Sequence, residues 1–244
     1  LFHPNVVLPF WIRLVKGMGM DGSGSGGVML LSRRELGLLL SCCNTLVSSS
    51  SSSSSSRREG QLITTKNYDC YGQCCTIVTL LLKHNQSRVY NVIPTLVLLL
   101  RSLLSHVLKL SPPTNSKIKN NNNVECLSAC EDMIVKIRHF NKLCESLLSH
   151  KQVLQHYIPV ILSDYAMALK RTSDASTNIG MGASSGIHPT VKKEVMAGIF
   201  VLIDICGDND MERLNSIMLD KESRMLFGLV YQNYKKVHEY KGQF

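Results

Sequence analysis

An all-α fold is the class this sequence predicts: helical hairpins in a HEAT-like α-solenoid array, interrupted by disordered low-complexity inserts. Three observations predict it. Leucine-dense apolar runs keep the three-and-four-residue spacing of a helix face. Aromatic residues are only 6% of the chain, which suits packed helices better than a β-sandwich. Finally, Val92-Ile93-Pro94-Thr95-Leu96-Val97 and Tyr157-Ile158-Pro159-Val160-Ile161-Leu162 both place a proline inside an apolar helical pattern. Proline in a helix interior removes a hydrogen bond and bends the axis. Paired, bent helices belong to α-solenoids, whose units run about 40–47 residues.

The first third of the chain carries the inserts. Leu1 to Lys16 is apolar, with Pro4 and Pro9, and the start at Leu1 rather than Met reads as a truncated product. Gly17, Gly19 and Gly22 have the spacing of a dinucleotide-binding turn, but the Gly and Ser that follow oppose the helix start which that motif requires. A flexible linker accounts for them better. Val28 to Val47 reads as one helix, and the serine run Ser48 to Ser56 as a disordered tract that buries nothing. Residues 1–67 are therefore expected to be poorly structured, and 68–244 to form a helical domain.

Within that domain, Ile77 to Lys83 and Tyr90 to Leu110 read as helices, the second stopped by Pro112-Pro113. Cys126 to Ser149 is amphipathic, with Cys130, Ile134, Ile137, Cys144 and Leu147 on its buried side. Val153 to Leu169 follows after a tight turn and buries Leu154, Tyr157, Ile158, Ile161, Leu162, Tyr165 and Leu169. A Ser-, Gly- and Asn-rich loop, Ser173 to Pro189, leads into the last helices. The first of these starts at Thr190 as N-cap, buries Val195, Ile199, Leu202, Ile203 and Cys206, and ends at Gly207-Asp208. A short helix through Met211, Leu214, Ile217 and Met218 comes next. Asp220 caps the final one, with Leu226, Phe227, Val230, Tyr231, Tyr234 and Val237 on one side and Lys235, Lys236, His238 and Glu239 on the other.

The totals narrow the function classes. A net charge of +9 over 244 residues favours an anionic partner such as RNA or an acidic protein, against the plainer alternative of a soluble basic protein. Nine cysteines, an odd number without a secretory signal, point to reduced thiols in cytosol or nucleus. Cys70, Cys74 and Cys75, and the pair Cys126 and Cys130, lack the paired spacing of structural zinc, and Cys126 and Cys130, one helical turn apart, read as one buried strip. No membrane span is expected, because Val92 to Leu110 contains Pro94, Arg101, His106 and Lys109. Neither glycine cluster completes a phosphate loop, and His150, His156 and His188 accompany no nucleophile signature, so no catalytic, metal or cofactor site and no small-molecule substrate are expected. Asp204 and Asp208 lie one turn apart but lack the further oxygen ligands of a cation loop. The candidates left are electrostatic: Lys170, Arg171, Lys192 and Lys193 around the exposed loop, and Tyr234, Lys235, Lys236, His238, Tyr240 and Lys241 near the terminus. Cations neutralise phosphates and tyrosine faces stack on unpaired bases. The alternative is a solvated face whose tyrosines pack as core.

Three stretches carry a resemblance: Ile158-Pro159-x-Ile161-Leu162-x-Asp164-Tyr165; Gly198-Ile199-Phe200-x-Leu202-Ile203-Asp204-Ile205-Cys206; and Phe227-x-x-Val230-Tyr231-x-x-Tyr234-Lys235-Lys236-x-His238-x-Tyr240-Lys241-Gly242. In this order the chain resembles the C-terminal domain of the nucleolar Urb/Npa family, best over 153–242 and loosely from about Tyr68. The resemblance implies a helical, non-enzymatic scaffold of the early large-subunit (60S) pre-ribosome, working in pre-ribosomal RNA processing. Its implied partners are other nucleolar assembly factors and, directly or indirectly, pre-ribosomal RNA. Members of that family are much longer, so the chain corresponds to a C-terminal portion, and residues 1–60 have no evident counterpart. No catalytic residues carry over. The rival reading is a cytosolic α-solenoid adaptor that binds only protein.

Overall fold

A computed structural model describes residues 31–52, 70–84, 86–110, 123–177, 187–218 and 220–239. Every regular element among them is helical. Eight principal helices follow in order: α1 (Arg33–Ser52), α2 (Cys70–His84), α3 (Ile93–Leu108), α4 (Asn123–Leu147), α5 (Ile158–Thr177), α6 (Pro189–Ile205), α7 (Asp208–Ile217) and α8 (Lys221–Glu239). Single turns, Gln86–Val89 and Tyr90–Val92, lead into α3, and two more, Leu148–His150 and Lys151–Leu154, precede α5.

Alternate helices pack side by side. α1, α3 and α5 make one layer and α2, α4 and α6 the other, with α7 and α8 laid against α5. Cross-links between neighbours in a layer advance together along both chains, so those neighbours run parallel. Asn141 of α4 bonds residues 194 and 198 of α6, whereas Lys151, in the turn just past α4, lies close enough to act on Cys206 at the far end of α6. In the other layer, one cleft joins the starts of α1 and α3, around Arg34 and Pro94. A second groove joins Ser48 of α1 to Leu108 of α3.

Between the layers lies one apolar core, drawing Leu36, Leu40 and Cys43 from α1, Ile77 from α2, Leu103 from α3, Phe140 from α4, Tyr165 from α5 and Ile199 from α6. Tyr90–Leu108 is long and apolar enough to cross a membrane by length and composition. Here its leucines at 96, 99, 100, 103 and 104 are buried by protein.

Local chemistry explains most helix ends. Ser32 and Glu35 form a capping box at α1: the Ser32 N–H donates to Glu35 Oε2 at 2.6 Å and the Glu35 N–H to Ser32 Oγ at 3.3 Å. Asp220 caps α8 as expected, its Oδ2 accepting from the Ser223 N–H at 2.9 Å. At α6 the N-cap is His188 rather than Thr190, because Pro189 already occupies the first turn and the His188 ring nitrogen accepts from the Thr190 N–H.

Several expectations are corrected. Pro94 and Pro159 bend no helix; each lies in the opening turn of its own, α3 and α5, where a missing N–H costs nothing. The repeat they form is therefore one of helix starts. Residues 33–52, inside the segment 1–67 expected to be poorly structured, are helical, and through Leu36, Leu39, Leu40, Cys43 and Val47 they share the common core. The helix also continues four residues past Ser48 into the serine run, the rest of which lies outside the described residues. Tyr157 is exposed, since the chain at 155–157 turns outside α5. Ile134 is only half-buried, and Val237 is exposed on α8. The Gly17–Gly27 linker and the side chains of Cys126 and Cys130 lie outside what is described.

Candidate interaction surface

The basic residues divide between two ends of the molecule. Lys170 and Arg171 lie late in α5, and Lys192 and Lys193 in the first turn of α6, on either side of residues 178–186. Lys192 and Lys193 are exposed. Lys170 is not a free cation: its Nζ is 3.0 Å from Asp220 Oδ1 and 3.2 Å from Glu222 Oε2, tying α5 to the start of α8. Those two carboxylates raise its pKa, Asp220 more than Glu222. The Ser223 backbone N–H, followed by Lys170, draws Asp220 down to about 2.

Tyr234, Lys235, Lys236 and His238 occupy the last third of α8, about 20 Å further along at 1.5 Å per residue. There the aromatic residues are packed. The Tyr234 hydroxyl donates to Asp204 Oδ1 at 2.5 Å, and its ring meets Phe200 edge-on. Tyr231 stacks on it with centroids 5.8 Å apart, and the His238 ring lies 4.0 Å away. Desolvation, then Asp204, pushes the Tyr234 phenol well above its ordinary pKa. His238 does not face outward with Lys235 and Lys236, as the sequence implied. Its Nε2 is 3.4 Å from Asp204 Oδ1 and its Nδ1 3.0 Å from the Tyr234 carbonyl. Lys235 lies over the Tyr231 ring, 5.0 Å from its centroid, a cation–π contact. The cluster locks α8 to α6. Tyr240 and Lys241 lie outside the described residues.

Asp204 therefore answers a phenol and an imidazole instead of sharing a cation with Asp208, whose side chain lies outside the described residues. Asp210 is buried and sits 3.1 Å from His156 Nδ1. No group of three or more His, Cys, Asp or Glu among the described residues is placed to hold a metal. The buried thiols are poor nucleophiles. Burial pushes Cys206 up to about 12 and Cys144 well above the usual thiol range. A hydrogen bond with Cys43, then burial, raises Cys74 further.

Sequence reasoning passed over a groove of about 560 Å³ between α3 and α5. Across it Arg101 donates to both Asp164 oxygens, at 2.6 and 3.1 Å. The partner of Asp164 lies 63 residues away, beyond any local pattern.

Helices that share one core, with no strand among the described residues, define an all-α protein. The comparisons make that class specific. The Urb2/Npa2 family matches residues 26–243, so the chain belongs to the Urb2/Npa2 family, a family of ribosome biogenesis factors not known as enzymes. The match includes α1 and runs to the end of α8. No curated protein and no solved structure matches the chain.

Proposed function

We propose that this chain is a non-enzymatic scaffold of early large-subunit pre-ribosomes in the nucleolus. It acts in pre-ribosomal RNA processing by holding assembly factors, and pre-ribosomal RNA, on the outside of a HEAT-like stack. The observation that carries the reading is the family match over nearly the whole chain. The parallel pairing of alternate helices supports the stack, because such an array leaves outward faces for partners. RNA contact is assigned to the exposed cations Arg171, Lys192, Lys193 and Lys236, together with Lys241. Lys170, Tyr234, Lys235 and His238 hold the fold at those edges, and Tyr240 extends the terminal set.

The test is affinity purification of the tagged full-length protein from nuclear extract, with sequencing of the bound RNA. Large-subunit precursor RNA should co-purify, and Lys192→Glu with Lys193→Glu should weaken direct binding of the purified protein to that RNA at low salt. Direct contact also requires affinity to fall steeply as salt rises, since phosphate neutralisation releases counterions. Binding indifferent to salt, with only cytosolic proteins recovered, would favour the adaptor reading instead.

A further inference from the structure

We propose that the groove between α3 and α5 is a docking site for an acidic amphipathic helix of a partner protein. Of the basic residues assigned to RNA, it uses only Arg171, so the inference goes beyond the function proposed above.

Two large apolar side chains face solvent across this concavity: Leu98 of α3, 53% exposed, and Met167 of α5, 44% exposed. Single exposed apolar residues are ordinary. Two of them lining one groove, one from each helix and with Ala168 beside them in the lining, form a seat for another apolar surface. Charge decides what that surface is attached to. Asp164 is the sole carboxylate lining the groove among the described residues, and Arg101 already holds it through two hydrogen bonds. Lys109 and Arg171, further along, meet no carboxylate within ion-pair distance among the described residues. The groove thus offers an apolar half and, toward the ends of α3 and α5, two cations that form no ion pair among the described residues.

An RNA strand would answer the cations but find neither ring nor donor at Leu98 and Met167. A helix with apolar residues at i and i+4, and with Asp or Glu one to two turns beyond, answers both halves. Leu98 to Lys109 spans about 16 Å at 1.5 Å per residue, so about three turns of partner helix suffice. Ser102 and Ser105 line the same wall and leave its middle polar without adding charge.

The test uses the full chain and a fluorescein-labelled helical peptide of about four turns, with leucines at i and i+4 and glutamates beyond them, followed by fluorescence anisotropy. A second peptide carries lysine in place of every glutamate, and a single-stranded oligonucleotide serves as competitor. The acidic peptide is expected to bind and the lysine peptide to bind at least tenfold more weakly. Leu98→Ser, Met167→Gln and Arg171→Glu should each weaken the acidic peptide at least fivefold. Lys192→Glu, outside the groove, should leave it unchanged. All four positions are solvent-facing, and an unchanged far-UV circular dichroism spectrum verifies each fold. The proposal is overturned if the acidic peptide fails to bind, if both peptides bind alike, or if the three groove variants leave binding intact. An oligonucleotide that displaces the peptide and shares its sensitivity to Leu98→Ser would assign the groove to RNA and overturn it equally.

Discussion

Replacing Gly198 by alanine tests how α4 and α6 are joined. A Cβ at position 198 would lie 2.5 Å from Asn141 Oδ1, a separation that non-bonded atoms do not tolerate. The Asn141 amide bridges two backbone groups of α6: its Nδ2 donates to the Glu194 carbonyl at 2.9 Å, and its Oδ1 accepts from the Gly198 N–H at 3.1 Å. In an uninterrupted helix those two groups would bond each other. Gly198→Ala must therefore expel the amide. Two hydrogen bonds at about 1 kcal/mol each are lost, offset by about 1 kcal/mol from the better helix propensity of alanine. The net expectation is destabilisation by about 1 kcal/mol. Asn141→Ala alone costs about 2 kcal/mol on the same reasoning, and less if α6 closes its own bond. Once the amide is gone, the next atom facing the new Cβ is Asn141 Cα at 3.4 Å. Alanine at 198 then fits and should stabilise by up to about 1 kcal/mol. The same substitution changes sign with its neighbour. Urea unfolding of the four proteins, read as a double-mutant cycle, should give a coupling near 2 kcal/mol with unchanged m-values. Additivity within about 0.5 kcal/mol, or a stabilising Gly198→Ala in the presence of Asn141, would refute the clasp.

Three further outcomes are expected. Iodoacetamide, mapped by mass spectrometry, should label exposed Cys42 in the native protein and reach Cys43, Cys74, Cys75 and Cys144 only after unfolding; native labelling of Cys144 would contradict its burial. On acidification, the start of α8 should loosen below about pH 4, since Asp220 falls from 3.8 to about 2 on folding. Its ionised form is favoured by the fold, so that stability is present above the unfolded pKa and is lost as pH falls through the folded one. Amide exchange at Ser223 should report the change, and Asp220→Asn should abolish it. On alkalinisation, stability should decline between about pH 9 and 12. Cys206 rises from 9.0 and Tyr165 from 10.0, each to about 12, so the unfolded chain loses their protons first. Tyr165→Phe should remove part of that decline in thermal melts, and an unaltered slope would discount the tyrosine.

How much of this was legible depends on the range of each interaction. Period-based reasoning located the helices and most of their buried faces, because burial of one stripe is imposed by adjacent turns. Asp220 was readable as a cap, and so was Ser32-Arg33-Arg34-Glu35, a local signature that went unread. The prolines were misread for a specific reason. The same apolar run on both sides of Pro94 fits a bent helix or a turn followed by a helix, and pattern alone does not separate them. Polar Asn91, like Gln155 and His156 before Pro159, was the available sign of a boundary. Partners distant in sequence left no trace: Lys170 with Asp220 and Glu222, Arg101 with Asp164, and Asn141 with Gly198. Each depends on which helices become neighbours, and hydrophobic period does not encode that choice.

The pairing of alternate helices accounts for the character of the surface. A helix that contacts both its sequence neighbour and the helix two places on is enclosed on most sides, so only a narrow outward stripe stays wet. Along α3 and its C-cap that stripe carries Leu98, Arg101, Ser102, Ser105 and Lys109, while the positions between them are buried except for half-buried His106. Catalysis needs ionisable groups converging in an enclosed site. Among the described residues, Asp204 with Tyr234 and His238, and Lys170 with Asp220 and Glu222, answer one another while joining helices. Exposed side chains along the stripes, such as Leu98 and Lys109 on the α3 side, are placed where they can meet a partner's surface.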